Sequence, residues 1–391
     1  MLRRDALRVL AMAPVLARAR PSGLRPPKRV VVIGAGILGS ATAYRLATLG
    51  AEVTLCERAT PGSGASEKSF AWINAYASKQ PRGYYELNRS SQLVWRELQD
   101  RVPELPLKWG GRIEWQPSPD AVAELSGAVR RQQSWGYPIE MLDRAALRAR
   151  APALRLPDTV ESGVFASDEG GLDAGRACQV LARAAETAGA RLLLSCEVVG
   201  FDVRGGLVRA VRSSAGELPA DAVVVAAGVD TPRIAAWMDV RVPLRDAPGV
   251  LAQCSATGPE IGPIVVGPDV IVKQHADGRM VIGGGFTGEP VYRRDRPESE
   301  RMEAERVLTL AQARFDAMDG VTLERTTVGW RPLPTDGHPV VGFPSAAPNL
   351  YLMVTHSGVT LSALLSQLAA REILEGLEVD LLAPYRVERF I

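Results

Sequence analysis

The chain has 391 residues, 46% hydrophobic and 23% charged, with a formal net charge of +2. That balance gives no electrostatic case for nucleic acid, because the arginines are scattered and no basic stripe interleaved with aromatics is present. No apolar run approaches the ~20 residues that span a bilayer, and the length suits two intertwined domains.

The chain opens with Leu2-Arg3-Arg4-Asp5-Ala6-Leu7-Arg8, a moderately apolar Val9–Leu16, then Ala17-Arg18-Ala19 and a Pro-rich linker to residue 27. A charged region, a short apolar region and a small-x-small site make an export signal. It resembles a twin-arginine signal, with Ala6 in place of the usual aromatic residue. Periplasmic location or export is therefore expected, a cytoplasmic protein with a short leader being the alternative.

Residues 29–58 read as strand, glycine turn, helix, strand and acid. An apolar run, Val30–Ile33, leads into Gly34-Ala35-Gly36-Ile37-Leu38-Gly39, a helix to about Leu49, a strand Glu52–Cys56, then Glu57 and Arg58. Each part serves to grip a dinucleotide. Gly34 permits the turn, Gly36 leaves room for a pyrophosphate, and Gly39 lets helix and sheet approach. The helix N-terminus at Ile37 and Leu38 offers N–H groups. Glu57, 23 positions after Gly34, is placed to accept hydrogen bonds from a ribose.

Further along, helical spacing predicts helices over 82–99 and 120–135, an Ala-rich helix over 175–189 and a charged helix over 298–318. A hairpin is expected from 191–203 and 207–213 around Gly205-Gly206, and a buried strand over 220–227. Antiparallel strands are expected over 264–285, turning at Asp277-Gly278. A strand, Leu350–Val354, precedes a helix over 359–374. The four cysteines (Cys56, Cys178, Cys196, Cys254) and three histidines (His275, His338, His356) are too dispersed for a disulfide framework or a metal site.

Several motifs stand in a particular order: Gly62-Ser63-Gly64-Ala65-Ser66, Asp168-Glu169-Gly170-Gly171-Leu172-Asp173 and Val224-Val225-Ala226-Ala227-Gly228. Gly329-Trp330-Arg331-Pro332, Thr335-Asp336-Gly337-His338-Pro339, Asn349-Leu350-Tyr351 and His356-Ser357-Gly358 follow. From Lys28 to Ile391 the chain resembles the FAD-dependent D-amino-acid oxidase family, which includes glycine oxidase, sarcosine oxidase and the D-amino-acid dehydrogenases.

The resemblance implies an α/β fold. A discontinuous Rossmann-type FAD-binding domain (28–80, 155–240, 326–391) would carry a second domain of mostly antiparallel sheet and helices (81–154, 241–325). It implies that Ala65 and Ser66 meet the pyrophosphate, Val198 faces the adenine, and Ala227 and Gly228 approach the cofactor. Ser357, Gly358, Val359 and Thr360 would meet the flavin's pyrimidine end, where a positive helix end favours the reduced form. Arg331 would hold a substrate carboxylate beside the cofactor as a bidentate fork. Lys273 and His275 are candidates for the pocket or the surface. Trp72, Tyr84, Tyr85 and Trp330 are candidates for its wall or for the core. Attachment residues seen in some relatives are missing, since no cysteine follows Cys254 and no histidine precedes His275, so FAD is expected to be non-covalent. The lysine with which sarcosine oxidases meet oxygen is replaced, in an ungapped comparison, by Val281.

The expected reaction is oxidation of the C–N bond of an amino acid (a D-amino acid, glycine or an N-alkyl amino acid). Hydride passes to flavin N5, and the resulting imine hydrolyses. Electrons would pass on to O2, a quinone or another carrier. The rival reading is an FAD-dependent 2-hydroxy-acid dehydrogenase, which needs a base such as His356, Lys273 or His275. A flavin-binding subunit without catalysis of its own is a third.

Overall fold

A computed structural model of the chain describes residues 17–19, 26–76, 79–256, 258–285, 298–316 and 318–390. The export-signal expectation lies outside the described residues except at Ala17–Ala19, which pairs antiparallel with Leu377–Val379. No described helix is long and apolar enough to cross a membrane.

One half of the molecule is built on a six-stranded sheet. Its order is Arg191–Leu193, Glu52–Cys56, Arg29–Ile33, Ala222–Val225, Leu350–Val354, Val340–Gly342. The first five strands run parallel and the last antiparallel. The central strands are unbroken apolar runs because both of their faces are covered. Val30, Val32, Val224 and Tyr351 are buried against the helices Ile37–Thr48, Ala174–Thr187 and Gly358–Glu375, which pack on one another. Val31, Val223 and Val225 are buried on the opposite face.

The other half is an eight-stranded sheet. Its order is Leu323–Trp330, Pro248–Cys254, Met280–Gly284, Val270–Gln274, Ile264–Val266, Arg112–Glu114, Ser162–Ala166, Ile139–Asp143. All of its pairings are antiparallel except that between Ile264–Val266 and Arg112–Glu114. Helix Glu298–Arg314 covers it through Ala304, Val307 and Ala311.

Three expectations need correction. Residues 191–203 form two strands in different sheets, because Ser195 adopts a left-handed φ of 51° and turns the chain. Arg191–Leu193 joins the parallel sheet, and only Val198–Arg204 pairs with Leu207–Ser213. Strand Ser162–Ala166, placed by a division at 155 with the dinucleotide unit, belongs to the eight-stranded sheet, and a division at 326 would cut strand Leu323–Trp330. Helix Arg82–Arg101, expected with the substrate half, buries Leu87, Trp95 and Leu98 in the core beneath helix Gly358–Glu375.

Candidate active site

The site starts at the first glycine turn. Gly34 has a φ of +96°, and a Cβ there would lie 2.7 Å from the Ala226 carbonyl oxygen. A Cβ on Gly39 would come 1.8 Å from the Gly34 carbonyl oxygen, so the helix closes on the glycine turn without room for a side chain at this position. Gly36 precedes helix Ile37–Thr48, whose first N–H, from Ile37, donates to Ser66 Oγ at 3.0 Å. Glu57 accepts from the Ala35 amide (2.8 Å) and the Ala59 amide (2.9 Å), which fixes its carboxylate beside the turn.

These residues line a cavity of about 950 Å³ that runs between the two sheets. Gly34, Gly36, Ile37, Leu38, Glu57, Arg58, Ala65, Ser66, Val198, Ala227 and Gly228 contribute to its wall. So do Arg331, His356, Ser357, Gly358, Val359 and Thr360. Gly39 lies under the turn rather than in the wall. The wall carries six Lys or Arg residues (Arg58, Lys68, Lys79, Arg233, Arg306, Arg331) against four carboxylates (Glu57, Glu197, Asp230, Glu303). Two of the cations are neutralised in place, Arg58 by Asp230 at 3.0 Å and Arg306 by Glu303 at 2.7 Å. The surplus suits an anionic ligand.

Arg331 leaves the end of strand Leu323–Trp330 and donates through Nε to the Ala247 carbonyl (3.1 Å) and through Nη2 to the Pro248 carbonyl (2.9 Å). These bonds orient the guanidinium, which meets no carboxylate among the described residues. His356 and Ser357 precede the last helix. Burial, then the charges of Lys79 and Arg331, pull the His356 imidazole down to about 4, so it is neutral at pH 7. Thr360 Oγ1 donates to the Trp72 carbonyl at 3.1 Å and ties that helix to the loop carrying Trp72 and Asn74.

Neither Lys273 nor His275 lines this cavity. The Lys273 side chain is buried against Gly171 and donates to the Leu172 carbonyl at 2.7 Å, and burial lowers its ammonium to about 7. It lies behind the wall formed by Phe70 and Ala71, opposite Val281 in strand register. His275 faces a smaller, polar cavity of about 290 Å³ with Asp173 and Arg279. Burial and the charge of Lys273 lower its imidazole to about 3. Trp72 and Trp330 do line the main cavity. Tyr84 sits behind it, with its hydroxyl bonded to Ser357 Oγ at 2.9 Å, and Tyr85 packs against Trp135 and Tyr137.

Sequence reading missed Lys79. Its Nζ donates to Ser357 Oγ at 2.5 Å, it lines the cavity, and burial lowers its ammonium to about 8 while Glu169 opposes that shift. A lone lysine in the polar sequence YASKQPR carries no motif that could have marked it. Behind Trp72 lies a buried ionic cluster, also unforeseen. Arg112 pairs with Glu114 and Glu169, and Glu169 also accepts from Trp72 Nε1 (2.6 Å) and the Tyr137 hydroxyl (2.7 Å).

A family model described as FAD dependent oxidoreductase, DAO, matches residues 29–372. The chain belongs to this family. An opine oxidase subunit of Agrobacterium tumefaciens is 23% identical over 373 residues, covering 92% of this chain and 97% of that protein. D-amino acid dehydrogenase of Cereibacter sphaeroides is 27% identical over 396 residues, covering 86% and 89%. In fold, the chain matches glycine oxidase from Geobacillus kaustophilus with a TM-score of 0.82 at 23% identity, over 93% of this chain and all of that one. The family's cofactor fits the cavity on local grounds. The glycine turn admits a close ligand, and two helices, Ile37–Thr48 and Gly358–Glu375, begin in its wall.

Proposed function

We propose that this protein oxidises the C–N bond of an amino acid or N-substituted amino acid, with FAD held non-covalently and Arg331 holding the substrate carboxylate. The supporting observation is Arg331 itself, a guanidinium in the cavity wall, oriented by two backbone carbonyls and lacking a carboxylate among the described residues. The names of the relatives, an opine oxidase subunit, a D-amino acid dehydrogenase and a glycine oxidase, agree with an amine donor.

When bound, FAD supplies a two-electron acceptor for the hydride leaving the carbon that bears nitrogen. The chain's residues position the reactants. Gly34, Gly36, Ser66 and Glu57 would hold the adenosine and pyrophosphate, and Gly358–Thr360 would hold the pyrimidine end. Arg331 anchors the carboxylate so that one face of the α-carbon is presented. Trp72 and Trp330 exclude water from their side of the cavity. The nitrogen gives up one proton to solvent, and the C=N product hydrolyses to a carbonyl compound and an amine or ammonia. The electrons leave to O2, a quinone or another carrier.

A hydroxy-acid substrate would need a strong base. His356, at about 4, is a weak one, and Lys273 and His275 lie outside the cavity wall. That favours an amine, which needs no dedicated base once it is bound neutral. Non-covalent FAD is supported by the positions of Cys56 and Cys196, the cavity's cysteines among the described residues. Both flank Glu57, Cys56 as its chain neighbour and Cys196 through an N–H that donates to the Glu57 carbonyl.

Anaerobic bleaching of the purified yellow protein tests the reading across D-, L- and N-methyl amino acids and 2-hydroxy acids. Bleaching by amines is expected. Bleaching by hydroxy acids alone would overturn it, and acid precipitation that leaves the flavin on the protein would overturn non-covalent binding.

A further inference from the structure

Trp72 stands where the two halves of the molecule meet, and a different end of it is tied to each. Its carbonyl accepts from Thr360 Oγ1 at 3.1 Å, in the first turn of helix Gly358–Glu375, and from Asn74 Nδ2 at 3.2 Å. Its indole N–H runs the other way and donates to Glu169 Oε2 at 2.6 Å. Glu169 is fully buried and is held in turn by Arg112 of the eight-stranded sheet (Nε, 3.1 Å) and by the Tyr137 hydroxyl (2.7 Å). Bonds at both ends leave the ring little freedom in either side-chain torsion.

An indole has a single polar group, and a buried tryptophan finds that N–H a partner. Here the partner lies behind the wall, so the Trp72 indole keeps no hydrogen-bond donor for a ligand in the cavity it lines. A buried carboxylate is a costly acceptor for this contact. Glu169 and Glu114 share the one guanidinium of Arg112, and burial raises the Glu169 carboxyl above its ordinary value. What a carboxylate adds over a neutral acceptor is a shorter and stronger bond. Arg331 leaves the same eight-stranded sheet, and the helix carrying Thr360 begins in the same cavity wall. The held ring therefore lies at the junction of the half that carries Arg331 with the half that carries the glycine turn.

We propose that Glu169 is a positioning residue for the oxidation: it takes the Trp72 N–H out of the cavity and locks the ring as a donor-free wall against which the substrate lies. This rests on the amine-oxidation reading above, in which Arg331 anchors the carboxylate. A molecule held at one end still turns about that anchor. The fixed ring stops the turning and keeps the reacting carbon aligned.

The test follows anaerobic reduction of the FAD-loaded enzyme by any donor that bleaches it, over a concentration series that separates the limiting rate from KM. Glu169→Met should lower the limiting rate about tenfold or more, within what a misplacement of about 1 Å costs. Flavin content and KM should stay close to those of the natural enzyme. Glu169→Gln, whose amide oxygen still accepts from the indole, should keep most of the rate. Trp72→Phe retains a ring without the N–H and should lose rate as Glu169→Met does. The double variant should lose little more, because Glu169 acts through the indole.

An unchanged limiting rate in Glu169→Met overturns the proposal. So do losses that multiply in the double variant, because Glu169 then serves another group, such as Lys79, on which its charge acts. If Glu169→Met fails to fold, Trp72→Phe decides, and a natural rate in that variant overturns the assignment. The indole N–H resonance of Trp72, identified by its loss in Trp72→Phe, should exchange with deuterium over hours. Exchange complete within minutes also overturns the proposal, because the N–H then faces the cavity. If only a hydroxy acid reduces the flavin, the amine reading fails and the rates with that acid decide the role of Glu169. If nothing reduces it, both fall.

Discussion

A Cβ at position 39 would stand 1.8 Å from the carbonyl oxygen of Gly34. The oxygen belongs to the backbone of the tight turn between strand Arg29–Ile33 and helix Ile37–Thr48, so it cannot step aside as a flexible side chain would. Gly39→Ala is therefore expected to cost about 3 kcal/mol or more, at the upper end of overpacking penalties, and to give protein with little bound flavin. Thermal unfolding and the ratio of flavin to protein absorbance check this. A variant with natural flavin content and melting temperature would contradict so close an approach of helix to strand.

Arg331→Ala should raise the KM for a carboxylate substrate by the equivalent of about 2–4 kcal/mol, roughly 30- to 900-fold. Flavin content should stay close to that of the parent. Arg331→Lys should recover only part of the loss, since an ammonium cannot reproduce a fork already oriented by the Ala247 and Pro248 carbonyls. Steady-state kinetics on any active amine would settle it, and an unchanged KM in Arg331→Ala would remove the anchor assignment.

Lys273 should act on stability instead. Its folded value of about 7 lies below the ordinary 10.5, so between these values the unfolded chain binds a proton that the folded chain releases. Stability contributed by this group therefore rises with pH across that window, by at most about 1.4 kcal/mol per unit. Relative to Lys273→Met, the natural protein should gain stability from pH 7 to pH 9. Melting curves that stay a constant distance apart would exclude a depressed lysine.

The buried cluster behind Trp72 gives a further expectation. Arg112→Met leaves Glu114 and Glu169 buried without their cation, which should cost about 3–5 kcal/mol. Denaturant melts measure the loss, and a change below about 1 kcal/mol would mean the carboxylates are neutral in the folded protein.

Features that were legible in the chain were those whose chemistry is contiguous. Gly34 to Glu57 is one βαβ unit with its acid, and strand Leu350–Val354 with the turn at His356–Gly358 reads as a strand feeding a helix. Arg331 was marked by its Gly-Trp-Arg-Pro setting. Lys273 and His275 misled because the alternation of a strand says which residues share a face, not which cavity that face meets. Lys273 turned inward against Gly171, and His275 opened to the smaller cavity. Strand Ser162–Ala166 is five residues with no turn signature tying it to either sheet.

The sequence by itself therefore determined the glycine turn, the family and the Gly-Trp-Arg-Pro setting of Arg331, because each is written in residues close along the chain, where backbone geometry translates order into position. Only the tertiary structure decided what stands around the cavity. Lys79 meets Ser357 across 278 residues, and Arg331 and His356 come to line the same cavity. Such meetings are set by how the two sheets and the last helix pack, and no local pattern encodes that packing.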